Sequence, residues 1–229
     1  MTRINFIIVV LLTVINLNAQ NNKKHFSIKA GVNFTNFIDN NSDIPVNFEG
    51  KTGFNIGGGI SFHIIEKIKF HPEILFSIQK SDFSIKSSDI VFLQPSEPNL
   101  LIIGEINNSS IIIPLKFEYA LLPKLDLELG PQISYLINNG LKYDESTEGF
   151  PIVQPFLLSQ NQNDLELSFN LGLKYSLTEK YKIGVNYTYG INKRAEIEIL
   201  NDIDTNGIRI IDKKSFHSSI FNIELSYEL

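Results

Sequence analysis

Residues 53–64 read GFNIGGGISFHI, in which Phe54, Ile56, Gly58, Ile60, Phe62 and Ile64 alternate with Asn55, Gly57, Gly59, Ser61 and His63. Side chains leave a strand on opposite faces in turn, so this segment is a β-strand with one greasy face and one small or polar face. The same period of two recurs at 25–37, 68–80, 111–121, 125–137, 165–177, 181–191 and 220–229. In 68–80, Ile68, Phe70, Ile74, Phe76 and Ile78 oppose Lys69, His71, Glu73, Ser77 and Gln79, a face too polar for a strand buried on both sides. Repeated alternation of this kind predicts an all-β, eight-stranded antiparallel up-and-down transmembrane β-barrel.

The spacing of the strands agrees. Three connections are tight and centre on Glu66, Pro123 and Glu179, whereas those at 38–52, 81–110, 138–163 and 192–214 are long. Short turns on one rim and long loops on the other are the arrangement of outer-membrane barrels, whose short turns face the periplasm. Phe62, Phe70, Tyr119, Tyr175, Tyr181 and Tyr227 share the apolar faces close to the short-turn end and predict an aromatic girdle there. Pro72, Pro114 and Pro131 fall inside strand patterns and are expected at bulges or rims, because proline removes a ladder hydrogen bond.

Residues 1–19 carry Arg3, an apolar run and Ala19, the pattern of a cleaved signal peptide, and the barrel domain is expected over 20–229. Asn5, Asn16 and Asn18 shorten that run below the roughly 20 apolar residues of a spanning helix. Export through the inner membrane to the outer membrane is therefore expected. Loss of Arg3, the one charged side chain in the leader, takes the net charge from -5 to -6, so no basic footprint for nucleic acid remains. The absence of Cys excludes disulfides, thiolate metal sites and a lipid anchor on cysteine.

The inward faces carry Lys29, Lys69, Glu73, Lys116, Glu118, Asp126, Glu128, Glu166, Lys174, Lys182 and Glu224. Eight strands enclose a space that side chains can fill, whereas a wide aqueous channel needs about 16. The charges are expected to pair and plug the lumen, with a narrow pore as the alternative. Among His25, His63, His71 and His217, the pair His63 and His71 shares inward faces beside one turn, but the further ligands a metal needs are missing from the pattern. Gly57, Gly58 and Gly59 sit within a strand with no helix after them, so they are read as a place of bending or close approach rather than a phosphate loop. A soluble lipocalin-like barrel would bury its greasy faces around a ligand, but no Trp is present for the Gly-x-Trp signature of that class. No catalytic, cofactor-binding or metal-binding residues and no cofactor are expected.

The stretches FHPEILFSIQK, IIIPLKFEYAL, LELGPQISYL, FNLGLKYSL and YKIGVNYTYGINK resemble, in order and spacing, the Bacteroidetes outer-membrane β-barrel domain of the PorT-like, porin-family type. Ile112 stands where members often carry an acid, and the chain ends Tyr-Glu-Leu where they commonly end in Phe. The resemblance implies the outer membrane of a Gram-negative cell, contact with its lipid and no catalytic residues. His217, Ser218 and Ser219 have a three-residue likeness to the lipid A deacylases, also eight-stranded barrels, but a triad needs a placed acid and an oxyanion donor as well. The function expected is a structural or interaction role through the long loops, whose isoleucine-rich stretch 90–93 and charged stretch 196–211 are expected to extend the strands beyond the bilayer, with a protein partner there or in a secretion machine. An outer-membrane enzyme of the deacylase type is the alternative.

Overall fold

The structure, a computed structural model, describes residues 24–39, 46–86, 101–143, 157–162, 164–203 and 209–229. The expected leader at 1–19 and the isoleucine-rich stretch 90–93 lie outside them. The described residues form strands β1 (His25–Asp39), β2 (Asn47–Ile65), β3 (Ile68–Lys86), β4 (Leu101–Leu122), β5 (Leu125–Tyr143), β6 (Leu157–Gln162), β7 (Leu165–Ser176), β8 (Tyr181–Gly190), β9 (Ala195–Ile203) and β10 (Arg209–Glu228).

Eight of these make the barrel, in the order β1, β2, β3, β4, β5, β7, β8, β10, every pair antiparallel. It closes through β1 and β10, paired from Ser27 with Glu228 to Asp39 with Phe216, so the wall has no free edge within the bilayer, where unpaired backbone groups are costly. The three tight connections fall where expected, at Glu66–Lys67, Pro123–Lys124 and 177–180.

Apolar side chains cover the outside. On β7, Leu165, Leu167, Phe169, Leu171, Leu173 and Tyr175 are all exposed, while Glu166, Ser168, Asn170 and Lys174 between them are buried. From Leu165 to Tyr175 the strand advances about 33 Å, which at a tilt of about 40° is about 25 Å of height, the thickness of the apolar band of an outer-membrane barrel. Beyond that band the polarity reverses. Lys51, Asp82 and Glu105 stand on the outer wall, with Lys51 Nζ 2.7 Å from Asp82 and 3.8 Å from Glu105, while Phe37, Phe83, Ile106, Leu136 and Phe216 turn inward and are buried. The hydrogen bond and charge of Asp82 hold Lys51 above its ordinary pKa, against a small desolvation cost.

Two expectations are corrected. Much of what the spacing assigned to loops at 81–110 and 138–163 is strand, since β4 begins at Leu101 and β6 pairs with β9, whereas in 196–211 the expected extension of strands beyond the bilayer is found, with β9 against the outer half of β10. The strand pairing simply continues above the bilayer, where the apolar side chains are inside rather than outside. The prolines, moreover, mark neither bulges nor rims. Pro72 pairs with Leu115, Pro114 with Gln132 and Pro131 with Phe169, and the ladders resume beyond them in unchanged register. The register shifts of the barrel wall lie elsewhere, between Lys51 and Phe54, His63 and Ile65, Ser109 and Ser110, and Ala120 and Leu122. The three prolines sit on adjacent strands, so the missing ladder bonds fall in one patch and pairing on either side holds the wall together.

Candidate functional site

Among the described residues, many chemically active side chains converge in the lumen. Period two sends Lys29 of β1, His71 and Glu73 of β3, Lys116 and Glu118 of β4, Glu128 of β5, Lys174 of β7 and Glu224 of β10 to the inside, where all are buried. Lys29 Nζ lies 2.6 Å from Glu73 and 2.8 Å from Glu224. Lys116 Nζ is 3.2 Å from Glu128, 3.5 Å from Glu73 and 3.7 Å from Glu224. Lys174 pairs with Glu118 and lies 2.5 Å from Glu128. Asn55 of β2 and Asn186 of β8 donate to Glu224, so all eight barrel strands are tied to one cluster. An isolated charge could not persist there, but each is paired, and losing one partner strands the others at about 3–5 kcal/mol.

The expected charges thus largely come together, with three differences. Lys182 pairs with Glu228 nearer the short-turn rim, and Lys69 and Asp126 are not among the ion pairs of the cluster. Glu166 belongs to a second group higher up, where it accepts a hydrogen bond from Ser218 and lies 3.6 Å from Arg194. Arg194, between β8 and β9, is buried and donates to Ser110 Oγ of β4 at 3.2 Å, reaching across the lumen. It fell in a stretch read as a loop, where inward and outward positions carried no pattern.

Between the two groups Asn55, Ser77, Gln79, Gln132, Asn170 and Asn222 line a cavity of about 10 Å³, room for about one water molecule. Above Arg194 large apolar side chains join buried polar ones such as Asn108 and Ser81 on the inner face. Phe48 meets Phe37 with ring centroids 5.4 Å apart and Phe216 at 4.9 Å, edge to face, with Phe83, Ile106 and Leu136 also buried. Among the described residues the lumen is therefore occupied at three levels: by ion pairs, by an arginine and by packed rings.

The glycines in β2 serve this packing. A Cβ at Gly59 would stand 2.7 Å from His71 Nε2 and 2.8 Å from Glu73 Cγ, and one at Gly57 would stand 2.1 Å from the carbonyl oxygen of Ile74. Close approach, one of the two roles the sequence offered, is the one the geometry supports.

The histidines do not assemble a reaction centre. His63 lies edge-on to His25, with ring centroids 6.1 Å apart, while His71 bonds to Glu118 and to Ser27 Oγ at 3.1 Å. His71, Glu118 and Glu128 offer ligand atoms within 4.8 Å of one another, yet the Lys174 ammonium already lies against all three, 3.4 Å from His71 Nδ1. His217 donates from Nδ1 to the Gly190 carbonyl at 3.0 Å and its ring stacks on Tyr189, while Ser219 Oγ lies 2.9 Å from the Tyr187 hydroxyl. Ser218, on the other side of the wall, bonds to Glu166. The acid and the histidine are thus separated by the strand itself.

The sequence profile of the outer membrane protein beta-barrel domain matches residues 18–196. Among solved structures, the outer membrane protein OprG from Pseudomonas aeruginosa aligns at 11% identity over 91% of this chain and 97% of its own, with a TM-score of 0.53. Ail, the attachment invasion locus protein of Yersinia pestis, aligns at 11% identity over 90% and 99%, with a TM-score of 0.43. No curated protein matches by sequence. Closed eight-stranded wall, apolar outer band and profile match coincide: the chain is a small barrel of the outer membrane and belongs to the outer membrane protein beta-barrel domain family.

Proposed function

We propose that this barrel is a structural or interaction protein of the PorT-like Bacteroidetes type, not an enzyme or a pore, exported by a signal peptide cleaved after Ala19. Residues 20–229 form its one domain, and it acts through what it presents beyond the bilayer. The observation that supports this reading is the lumen, whose described side chains pair and pack from the ion cluster to the apolar outer plug. Strands run past the apolar band, and loops carried on such a rigid scaffold are where recognition is placed. A protein partner at those loops, or a place in a secretion machine, follows from the same layout.

The direct test is conductance of the purified barrel in planar bilayers, together with its action on lipid A. No stable large conductance and no deacylation are expected. A porin-sized current overturns the closed-lumen reading, and deacylation abolished by His217→Ala or Ser219→Ala with folding intact moves the protein into the enzyme class.

A further inference from the structure

The apolar outer wall is not uniformly ridged. At the seam where β1 joins β10, the outward position on β1 is only Ala30, flanked by Ile56 of β2 and Leu225 of β10 in register. Ile28, Tyr227 and Tyr181 continue the walls toward the short-turn rim, and the whole encloses an apolar groove of about 380 Å³. Its side chains are open to the surroundings: Ile28, Ile56, Leu225 and Tyr181 are all about half exposed.

A cation stands at the rim end of the groove. Lys180, in the β7–β8 turn, donates from Nζ to the Tyr227 hydroxyl at 3.4 Å, and its ammonium lies 5.6 Å from the centre of that ring. The Tyr227 and Tyr181 rings are 5.1 Å apart, so both phenols flank the same spot. Glu228 does not neutralise it, being paired with Lys182 on the inner side. An ammonium beside two phenols at the membrane surface, with an apolar furrow running from it into the bilayer, matches one molecule class: a phosphate head carrying a long hydrocarbon chain.

We propose that this seam binds one phospholipid of the periplasmic leaflet, its phosphate held by Lys180 and its acyl chain lying along the furrow over Ala30. Bulk lipid is as apolar as the groove, so hydrophobic transfer does not select this site. Selection comes from the fit of a chain into a depression that a larger residue at position 30 would fill, together with a charge-assisted contact to phosphate. The short-turn rim faces the periplasm in such barrels, which fixes the leaflet.

The test uses the full mature chain folded in dodecyl maltoside, titrated with palmitoyl-oleoyl-phosphatidylglycerol and read by native mass spectrometry, with heat-modifiable gel migration as the check on folding. The wild-type barrel is expected to retain one lipid through activation that strips the rest. Ala30→Phe and Lys180→Glu each weaken that retention about tenfold, while Lys180→Arg and Val185→Phe, an outward change away from the groove, keep it. Equal retention by Ala30→Phe and the wild type overturns the proposal. So does a dimer that Ala30→Phe dissociates without changing lipid retention, which assigns the groove to a second copy of the chain. Lys180→Glu lies in an exposed turn and reads the head contact even if Ala30→Phe folds poorly.

Discussion

Lys116 shows how a single residue commits the barrel to its interior. Its ammonium lies within 3.7 Å of Glu73, Glu128 and Glu224, three carboxylates from three strands. Replacing it by Met keeps the stem and removes the charge, leaving those three acids with only Lys29 and Lys174 to balance them in a buried space. Lys116→Met is expected to lower stability by about 3–5 kcal/mol, measured by urea unfolding in lipid vesicles. Lys51 makes a comparably short contact with Asp82, but it stands on the outer wall in water. Lys51→Ala is expected to cost less than about 1 kcal/mol in the same assay. A similar loss for both would mean that water reaches the inner cluster.

Each strand crosses two solvents, and its pattern changes between them. Along β7 the rule is lipid outside and polar inside; along the outer halves of β3 and β4 it is water outside and apolar inside. Leu171, at the middle of the apolar band and half exposed, is expected to lose about 2–4 kcal/mol on change to Arg. Thr52→Arg, at the edge of the band on β2, is expected to cost about 0–1 kcal/mol, because an interfacial cation stays wet. Refolding titrations of the two variants in lipid separate these values. The same change of solvent explains what the sequence concealed. The barrel strands were legible between their short turns and the top of the apolar band because one greasy face persisted there. Phe83, Ile106 and Phe216 belong to the inner face of strands whose outer face has turned polar, so a reader following the greasy side meets an apparent break and sees a loop. Arg194 was hidden for the same reason, since its inward direction depends on the register of a strand beyond that break.

At the scale of the whole molecule, closure and filling are one fact seen twice. Eight strands make a ring narrow enough for side chains from opposite walls to meet, and the charges that meet there hold the ring together. The number of strands and the sign of the inner face were open to reading from residue order alone. Which lysine pairs with which glutamate was not, because partners such as Lys29 and Glu224 lie at opposite ends of the chain and meet only when β1 closes on β10. Likewise the separation of His217 from Glu166 by the wall follows from strand parity in three dimensions, not from their proximity in space. The central claim is that lipid meets the outer residues and that water does not reach the inner ones. The chain has no native Cys, so single cysteines can be placed along Leu165–Ser176 and spin-labelled without other changes. Electron paramagnetic resonance in lipid vesicles is expected to show oxygen accessibility rising and falling with period two, high at 165, 167, 169, 171 and 173, with a water-soluble nickel relaxant excluded from 166, 168, 170 and 172. Nickel access at those inner positions, or oxygen maxima on them, would contradict the closed barrel described above.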